Sequence, residues 1–289
     1  MIRYFLENNI KRGIKMIQDI FPHRFYNQYD NEILPNDNSP VLIFDGGKIL
    51  SDTNGWFRIP SVAELPEGTK LRFLFKLDQN PYFLAEDFKE NIDGYGFTDI
   101  RTLREMKIAE KHQLFAVMTG KHLADWYRDT KYCGRCGSLM IHSDRERAKK
   151  CEKCGYTAYP RIMPAVIVGV INGGSILITR YRTGYSHNAL IAGFTEIGET
   201  FEETVKREVM EEAGIKVKNI RYYKSQPWGM ANDILAGFFC EVDGDTELHP
   251  DMGELKCAEW VKREEIELQP DSSSLTNEMM SVFKDGKKV

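Results

Sequence analysis

"GFTEIGETFEETVKREVMEEAG", residues 193–214, is the stretch on which the reading of the fold turns. Thr200 followed by Glu203 has the pattern of a capping box, and Gly214 stands where a left-handed helix stop is expected. At 100° per residue, Phe201, Val205 and Val209 form a buried stripe, with Glu208 and Glu212 on its edge and Glu211 next to them. The three carboxylates crowd the helix C-terminus, where an anion is unfavourable by a few tenths of a kcal/mol to about 1 kcal/mol. The i,i+4 pair Glu208 and Glu212 adds a similar cost. A solvated acidic face would lie opposite the apolar stripe, whereas this one lies beside it. A divalent cation removes the conflict, and clustered hard oxygen ligands suit Mg²⁺ or Mn²⁺, usually together with substrate phosphates.

The 289-residue chain has room for about two domains. Its net charge of −4 lacks the global basic footprint of a nucleic-acid binder. No apolar run approaches the ~20 residues of a membrane span. The opening "MIRYFLENNIKRGIKMIQDIF" (1–21) lacks a signal-peptide cleavage pattern, so a cytoplasmic protein with no membrane partner is expected.

Four of the six cysteines form "CGRC" (Cys133, Cys136) and "CEKC" (Cys151, Cys154), with fourteen residues between the pairs. Two such knuckles converge four thiolates on one tetrahedral Zn²⁺, a closed and therefore structural site. Gly134, Gly137 and Gly155 are placed to supply the tight turns. Cys240 and Cys257 stand alone as expected buried thiols. His23 and His112 read as surface or packing residues.

The zinc element divides the chain into three expected parts: an N-terminal α+β domain (1–128), a zinc ribbon (129–159) and a catalytic domain (160–289). "PVLIFDGGKILSD" reads as a hairpin. "LRFLFKL" alternates, with Leu71, Phe73, Phe75 and Leu77 on one face, and a Gln-Asn-Pro turn leads to "YFLAED". Residues 101–127 turn helical. After the ribbon, "AVIVGVINGGSILITR" is expected to form two strands, and "IRYYKSQPW", "ILAGFFCEV" and "LKCAEWVKR" three more. A last helix is expected over 275–285. Strands interleaved with two helices suit an α/β/α sandwich.

The opening stretch resembles the signature of the Nudix hydrolases: Gly193, Glu199, then Arg207-Glu208-Val209, Glu211-Glu212 and Gly214-Ile215 at the family's spacing. That resemblance implies the Nudix α/β/α fold and metal-assisted hydrolysis of a nucleoside diphosphate linked to another group. It implies that Glu208, Glu211 and Glu212 are catalytic, holding metal or its water, with Glu199 and Arg207 as supports. The ribbon before the domain, "AYPR" with Tyr159, and "SQPW" (Ser225–Trp228) are similar to the NADH pyrophosphatase subfamily over roughly 129–285. The implied reaction gives AMP and nicotinamide mononucleotide from NAD(H), with NAD-capped RNA as a further substrate and a homodimer as the working form. By the same resemblance, Phe194, Gln226, Pro227, Trp228, Asp233, Tyr159 and Glu146 are candidate substrate-binding residues. The Ala192 carbonyl and Glu254 would join the metal set of Mg²⁺ or Mn²⁺, beside the structural Zn²⁺.

The sequence departs from that subfamily after "SQPW", where Pro-Phe-Pro, one residue and Ser are usual. Gly229-Met230-Ala231-Asn232-Asp233 stands there instead. Two φ-locking prolines are lost, a glycine is gained, and an acid replaces the serine. A looser, more anionic loop is expected from this. It keeps open a diphosphatase acting on ADP-ribose or FAD; the non-enzymatic rival, a zinc-ribbon adaptor that only binds nucleotides, would instead require a decayed signature, and this one is intact.

Overall fold

A computed structural model of the chain describes residues 16–52, 54, 57–184 and 187–287. Residues 1–15 of the opening stretch lie outside these. The chain divides into two compact units, one built from residues 16–19, 163–227 and 233–287, the other from residues 20–162 and 228–232. The cysteine ribbon falls in the same unit as the residues that precede it. No helix among the described residues is long and apolar enough to cross a membrane.

The second unit begins with β1 (Phe25–Tyr26), β2 (Val41–Leu42), β3 (Phe44–Asp45), β4 (Lys48–Ser51), β5 (Leu71–Leu77), β6 (Asn80–Ala85) and β7 (Gly96–Asp99). They form one sheet of order β1-β5-β6-β2 and another of order β3-β4-β7. The Asp-Gly-Gly turn joins β3 to β4 as the sequence predicts, pairing Phe44 with Ile49 and Asp45 with Lys48. The β5–β6 hairpin forms, with two differences. Its turn falls at Asp78, at φ 55°, and the strand resumes at Asn80. The pairing is irregular between Phe73 and Phe75, and Leu74 is fully buried along with both phenylalanines. The expected helical stretch is two helices, α1 (Ile100–Met106) and α2 (Lys111–Asp129). Beyond α2 lies the three-stranded ribbon sheet of β8 (Ile141–His142), β9 (Lys149–Lys150) and β10 (Thr157–Ala158).

The other unit holds β11 (Met163–Asn172), β12 (Ser175–Tyr181), β13 (Ile191–Phe194), α3 (Phe201–Ala213), β14 (Val217–Trp228), β15 (Asp233–Val242), β16 (Leu255–Lys262) and α4 (Leu275–Lys284). Its sheet has order β14-β15-β11-β12-β16, with β13 also paired to β11. β11 and β15 run parallel, from Met163 opposite Asp233 to Ile171 opposite Glu241. Period-two alternation along β15 sorts its residues between two faces. Ala236, Phe238 and Cys240 join Val205, Val209 and Ala213 of α3 in one core. On the other face a Cβ on Gly237 would lie 2.8 Å from the Met279 sulfur and 3.2 Å from Leu275, both on α4. A sheet covered by one helix on each face is the α/β/α sandwich expected from the sequence.

Candidate active site

The ribbon is built from two matching turns. The Gly137 N–H donates to the Cys133 carbonyl at 2.8 Å, and the Gly155 N–H to the Cys151 carbonyl at 2.9 Å. Gly137 and Gly155 both sit at φ 72°, where a side chain would be strained, whereas Gly134 is not among the positive-φ residues. The turns bring all four sulfurs within 4.8 Å of one another, with Cys133–Cys154 at 3.6 Å and Cys136–Cys151 at 3.5 Å. Sulfurs at the corners of a tetrahedron with Zn–S bonds of ~2.3 Å would lie about 3.8 Å apart. The backbone N–H of Ser138 holds the Cys136 thiol down, to about 6, while, against the Tyr156 N–H, burial and the neighbouring sulfurs push Cys154 up, as expected of four thiols crowded together. This donor set is a structural zinc site. Of the two other thiols, Cys240 is fully buried, but Cys257 is only half-buried.

The helix α3 begins and ends as its sequence dictates. The Glu203 N–H donates to the Thr200 hydroxyl at 3.2 Å, and the Thr200 N–H donates to the Glu203 carboxylate at 2.7 Å. Gly214 closes the helix at φ 71°. The buried face differs from the expected stripe. Phe201, at the first helical position, is exposed, and the core-facing residues are Thr204, Val205, Val209, Glu212 and Ala213.

The carboxylates therefore occupy three different environments. Glu212 lies within the stripe and is 3% exposed. Glu208, beside it, has its side chain 12% exposed. Glu211 lies about 120° around the helix from Val205 and is 60% exposed, so it points to solvent and not towards the sheet. Gly193 on β13 makes room for the second of these. A Cβ there would lie 1.9–2.2 Å from the Glu208 carboxylate, so any side chain would displace it.

Arg207 holds the group together. Its Nε donates to Glu199 at 2.6 Å, and Nη2 donates to Glu199 at 2.9 Å and to the Phe194 carbonyl at 2.9 Å. Nη1 donates to Glu208 at 2.6 Å and to Glu211 at 3.0 Å. All five guanidinium N–H groups are thus engaged. The bidentate hydrogen bond from Arg207 holds the Glu199 carboxyl down, to about 2. Glu199 also accepts from the Glu196 N–H and the Thr204 hydroxyl, which ties the loop to the helix.

The inner carboxylates behave in the opposite way. Burial, and then the charges of Glu208 and Glu254, push Glu212 up to about 8. Burial also raises Glu208, against the pull of Arg207. Tyr181 on β12 offers its hydroxyl to both Glu212 oxygens at 3.5 Å, and the Ala192 N–H donates to Glu212 at 3.4 Å. No motif on β12 marks Tyr181 in the sequence. A buried carboxylate raised by two neighbouring carboxylates is a group short of positive charge. The donors are all oxygen, so the set fits Mg²⁺ or Mn²⁺. These oxygens are not gathered as tightly as the thiols. Among the described residues, only the four cysteines and a group of His23, Glu110 and His112 bring three or more ligand atoms within 4.8 Å.

The remaining expected residues are scattered in character. Phe194 is 50% exposed at the end of β13, while Tyr159 is 56% exposed and donates to Glu146 at 3.2 Å. Pro227 and Glu254 are exposed. Gln226 is fully buried. Its amide nitrogen donates to the Ser273 carbonyl at 2.8 Å and its oxygen accepts the Leu275 N–H at 2.7 Å, so it anchors the start of α4.

The segment after Trp228 is not the loose, anionic loop that its composition predicts. A Cβ on Gly229 would lie 2.1 Å from the Met118 carbonyl of α2, so the glycine is required by close backbone approach. The Ala231 N–H donates to the Trp228 carbonyl at 3.3 Å. Asn232 adopts the left-handed conformation at φ 61° and donates to Asp125 at 3.3 Å. The Arg104 guanidinium lies 5.4 Å from the Trp228 ring centre. Asp233 is 6% exposed, its Oδ1 has no hydrogen-bond partner among the described residues, and burial raises it to about 7. It is a buried acid and not a charged rim.

Two stretches of the chain match known domains. Residues 161–280 match the NUDIX domain, and residues 128–159 match the NADH pyrophosphatase zinc ribbon domain. Curated relatives include the NAD-capped RNA hydrolase NudC of Escherichia coli (strain K12 / DH10B) and of Shigella boydii serotype 18 (strain CDC 3083-94 / BS512). Each is 42% identical over 165 residues, which is 56% of this chain and 63% of the relative, so the match spans less than two thirds of the relatives' length. A solved NUDIX hydrolase from Nitrosomonas europaea is similar at 20% identity with a TM-score of 0.48, covering 55% of this chain and 96% of that one. The chain carries a match to the NADH pyrophosphatase zinc ribbon domain followed directly by a match to the NUDIX domain.

Proposed function

We propose that this chain hydrolyses the diphosphate bond of NAD(H), giving nicotinamide mononucleotide and AMP, and that NAD-capped RNA ends are a second substrate. The observation that carries the proposal is the 42% identity over 165 residues to proteins named NAD-capped RNA hydrolase NudC, beside the NADH pyrophosphatase zinc ribbon match directly before the NUDIX match. Glu208, Glu211, Glu212, Glu254 and the Ala192 carbonyl are the proposed holders of Mg²⁺ or Mn²⁺. When bound, that ion neutralises the diphosphate and activates the attacking water.

The protein's own groups have separable roles in this proposal. Arg207 fixes the direction of Glu208 and of the loop through Phe194 and Glu199. Glu212 is held in place by Tyr181 and the Ala192 N–H. Phe194, Tyr159 and Trp228 offer aromatic faces, and stacking one base or nicotinamide ring is worth about 1–3 kcal/mol. Pro227, Glu146 and Asp233 complete the proposed substrate contacts, while the buried Gln226 acts through the backbone it holds at the start of α4. We further propose a three-part organisation (1–128, 129–159, 160–289), a homodimer as the working form, and a cytoplasmic location.

A second reading rests on the Gly229–Asp233 departure. It proposes the same bond cleavage with ADP-ribose or FAD preferred over NADH. The adaptor reading is disfavoured by the complete set of carboxylates and their Arg207 support. Measuring kcat/KM for NADH, NAD⁺, ADP-ribose, FAD and NAD-capped RNA decides between these readings. Hydrolysis of FAD or ADP-ribose without hydrolysis of NADH would leave only the second, and no hydrolysis of any would leave the adaptor.

A further inference from the structure

Two histidines that lie 89 positions apart in the sequence meet in the unit built from residues 20–162 and 228–232. His23 precedes β1, and His112 lies in the first turn of α2. Their rings stack with centres 3.8 Å apart and planes 26° from parallel. Each has its own carboxylate. Asp78 Oδ2 lies 2.8 Å from His23 Nδ1, and Glu110 Oε2 lies 3.3 Å from His112 Nδ1. Asp78 is itself fixed, because its other oxygen accepts the Arg24 N–H at 2.8 Å. His23, Glu110 and His112 each bring a ligand atom within 4.8 Å of the other two.

This is the layout of a metal site with an outer orienting carboxylate. An imidazole that donates Nδ1–H to a fixed carboxylate presents the lone pair of Nε2, and the carboxylate raises its basicity. We propose that His23, His112 and Glu110 bind a divalent first-row transition-metal ion, with Asp78 orienting His23. Two imidazoles and one carboxylate suit Zn²⁺, Co²⁺ or Ni²⁺ and select against Mg²⁺, which prefers oxygen alone. Three protein ligands leave a coordination position open, unlike the closed ribbon. The side chain of Glu110 is 63% exposed, so an ion can enter from solvent.

The test is metal content of the full chain after equilibrium dialysis against micromolar Zn²⁺, with Mg²⁺ in excess to occupy oxygen-only sites. Two zinc ions per chain are expected in the wild type and one in His23→Gln/His112→Gln. Asp78→Asn should keep the second ion but bind it roughly 10–100-fold more weakly. A Co²⁺ titration gives an independent readout that needs no variant. One equivalent should show the intense sulfur-to-cobalt charge-transfer band of the ribbon, and a further equivalent should add only weak visible bands. One zinc per wild-type chain, or a second cobalt with sulfur charge transfer, would overturn the proposal.

Discussion

The ribbon and the acidic end of α3 are both clusters of like-charged ligands, yet they are built in opposite ways. The ribbon's sulfurs are gathered by two copies of one turn, with the closest pairs at 3.5 and 3.6 Å. The glutamates ride on a helix, where each residue advances 100°, so consecutive carboxylates cannot share an environment. Glu212 is buried, Glu208 is nearly so, and Glu211 is in solvent. The first arrangement closes around one soft ion and leaves no position for chemistry. The second spreads hard oxygens from core to surface, balanced by a single guanidinium.

The largest expected effect lies in the ribbon. Structural zinc contributes on the order of 10 kcal/mol in isolated zinc modules, so Cys151→Ser should melt the segment around 129–159. Hydrogen exchange and zinc content would register this, and an unchanged Tm with zinc retained would break the contrast with the glutamates. Next come Glu208→Gln and Glu212→Gln, each expected to lower kcat by about 10³-fold or more with the fold intact. Glu211→Gln, at the exposed position, should lose less. Equal losses at all three positions would show that burial does not grade their roles.

A smaller effect concerns stability against pH without divalent cations. Glu212 is raised from 4.5 to about 8 in the folded chain, so the native state binds the extra proton. Its contribution is fully present below about 4.5 and is lost as pH rises through about 8. A tenfold difference in proton affinity between the folded and unfolded chain is worth about 1.4 kcal/mol. Urea midpoints of the wild type should therefore fall between pH 6 and 8.5, Glu212→Gln should lack that slope, and Mg²⁺ should remove it. The smallest expected effect is that of Trp228→Ala, which should raise KM for NADH about tenfold through one lost stacking contact. An unchanged KM would assign the ring to packing beside Arg104.

The features legible in the sequence were those set by local spacing. The Thr200–Glu203 box, the Gly214 stop and the two cysteine turns depend on residues within a few positions of each other, and all appear where the pattern puts them. Features set by what the rest of the chain packs against an element were not legible. Periodicity placed Phe201 in the stripe, and its ring does lie 6.0 Å from that of core Phe238, but at the first helical position it stays 37% exposed. Alternation placed Leu74 outward, but both faces of β5 are covered. Gln226 belongs to a recognisable motif, yet it serves the start of α4. Composition made the Gly229–Asp233 segment look loose, but the approach of Gly229 to Met118 and the left-handed Asn232 give it a defined path. His23 and His112 carried no signal, because nothing local joins residues 89 positions apart.

The proposed chemistry is tested at its root by the products formed from NADH by purified protein in Mg²⁺ or Mn²⁺, resolved by chromatography, for wild type and Glu212→Gln. Stoichiometric AMP and reduced nicotinamide mononucleotide are expected from the wild type, with no products in the presence of EDTA and at least about 10³-fold slower release from the variant. Intact NADH after prolonged incubation of the wild type, or the same products at full rate from Glu212→Gln, would contradict the assignment.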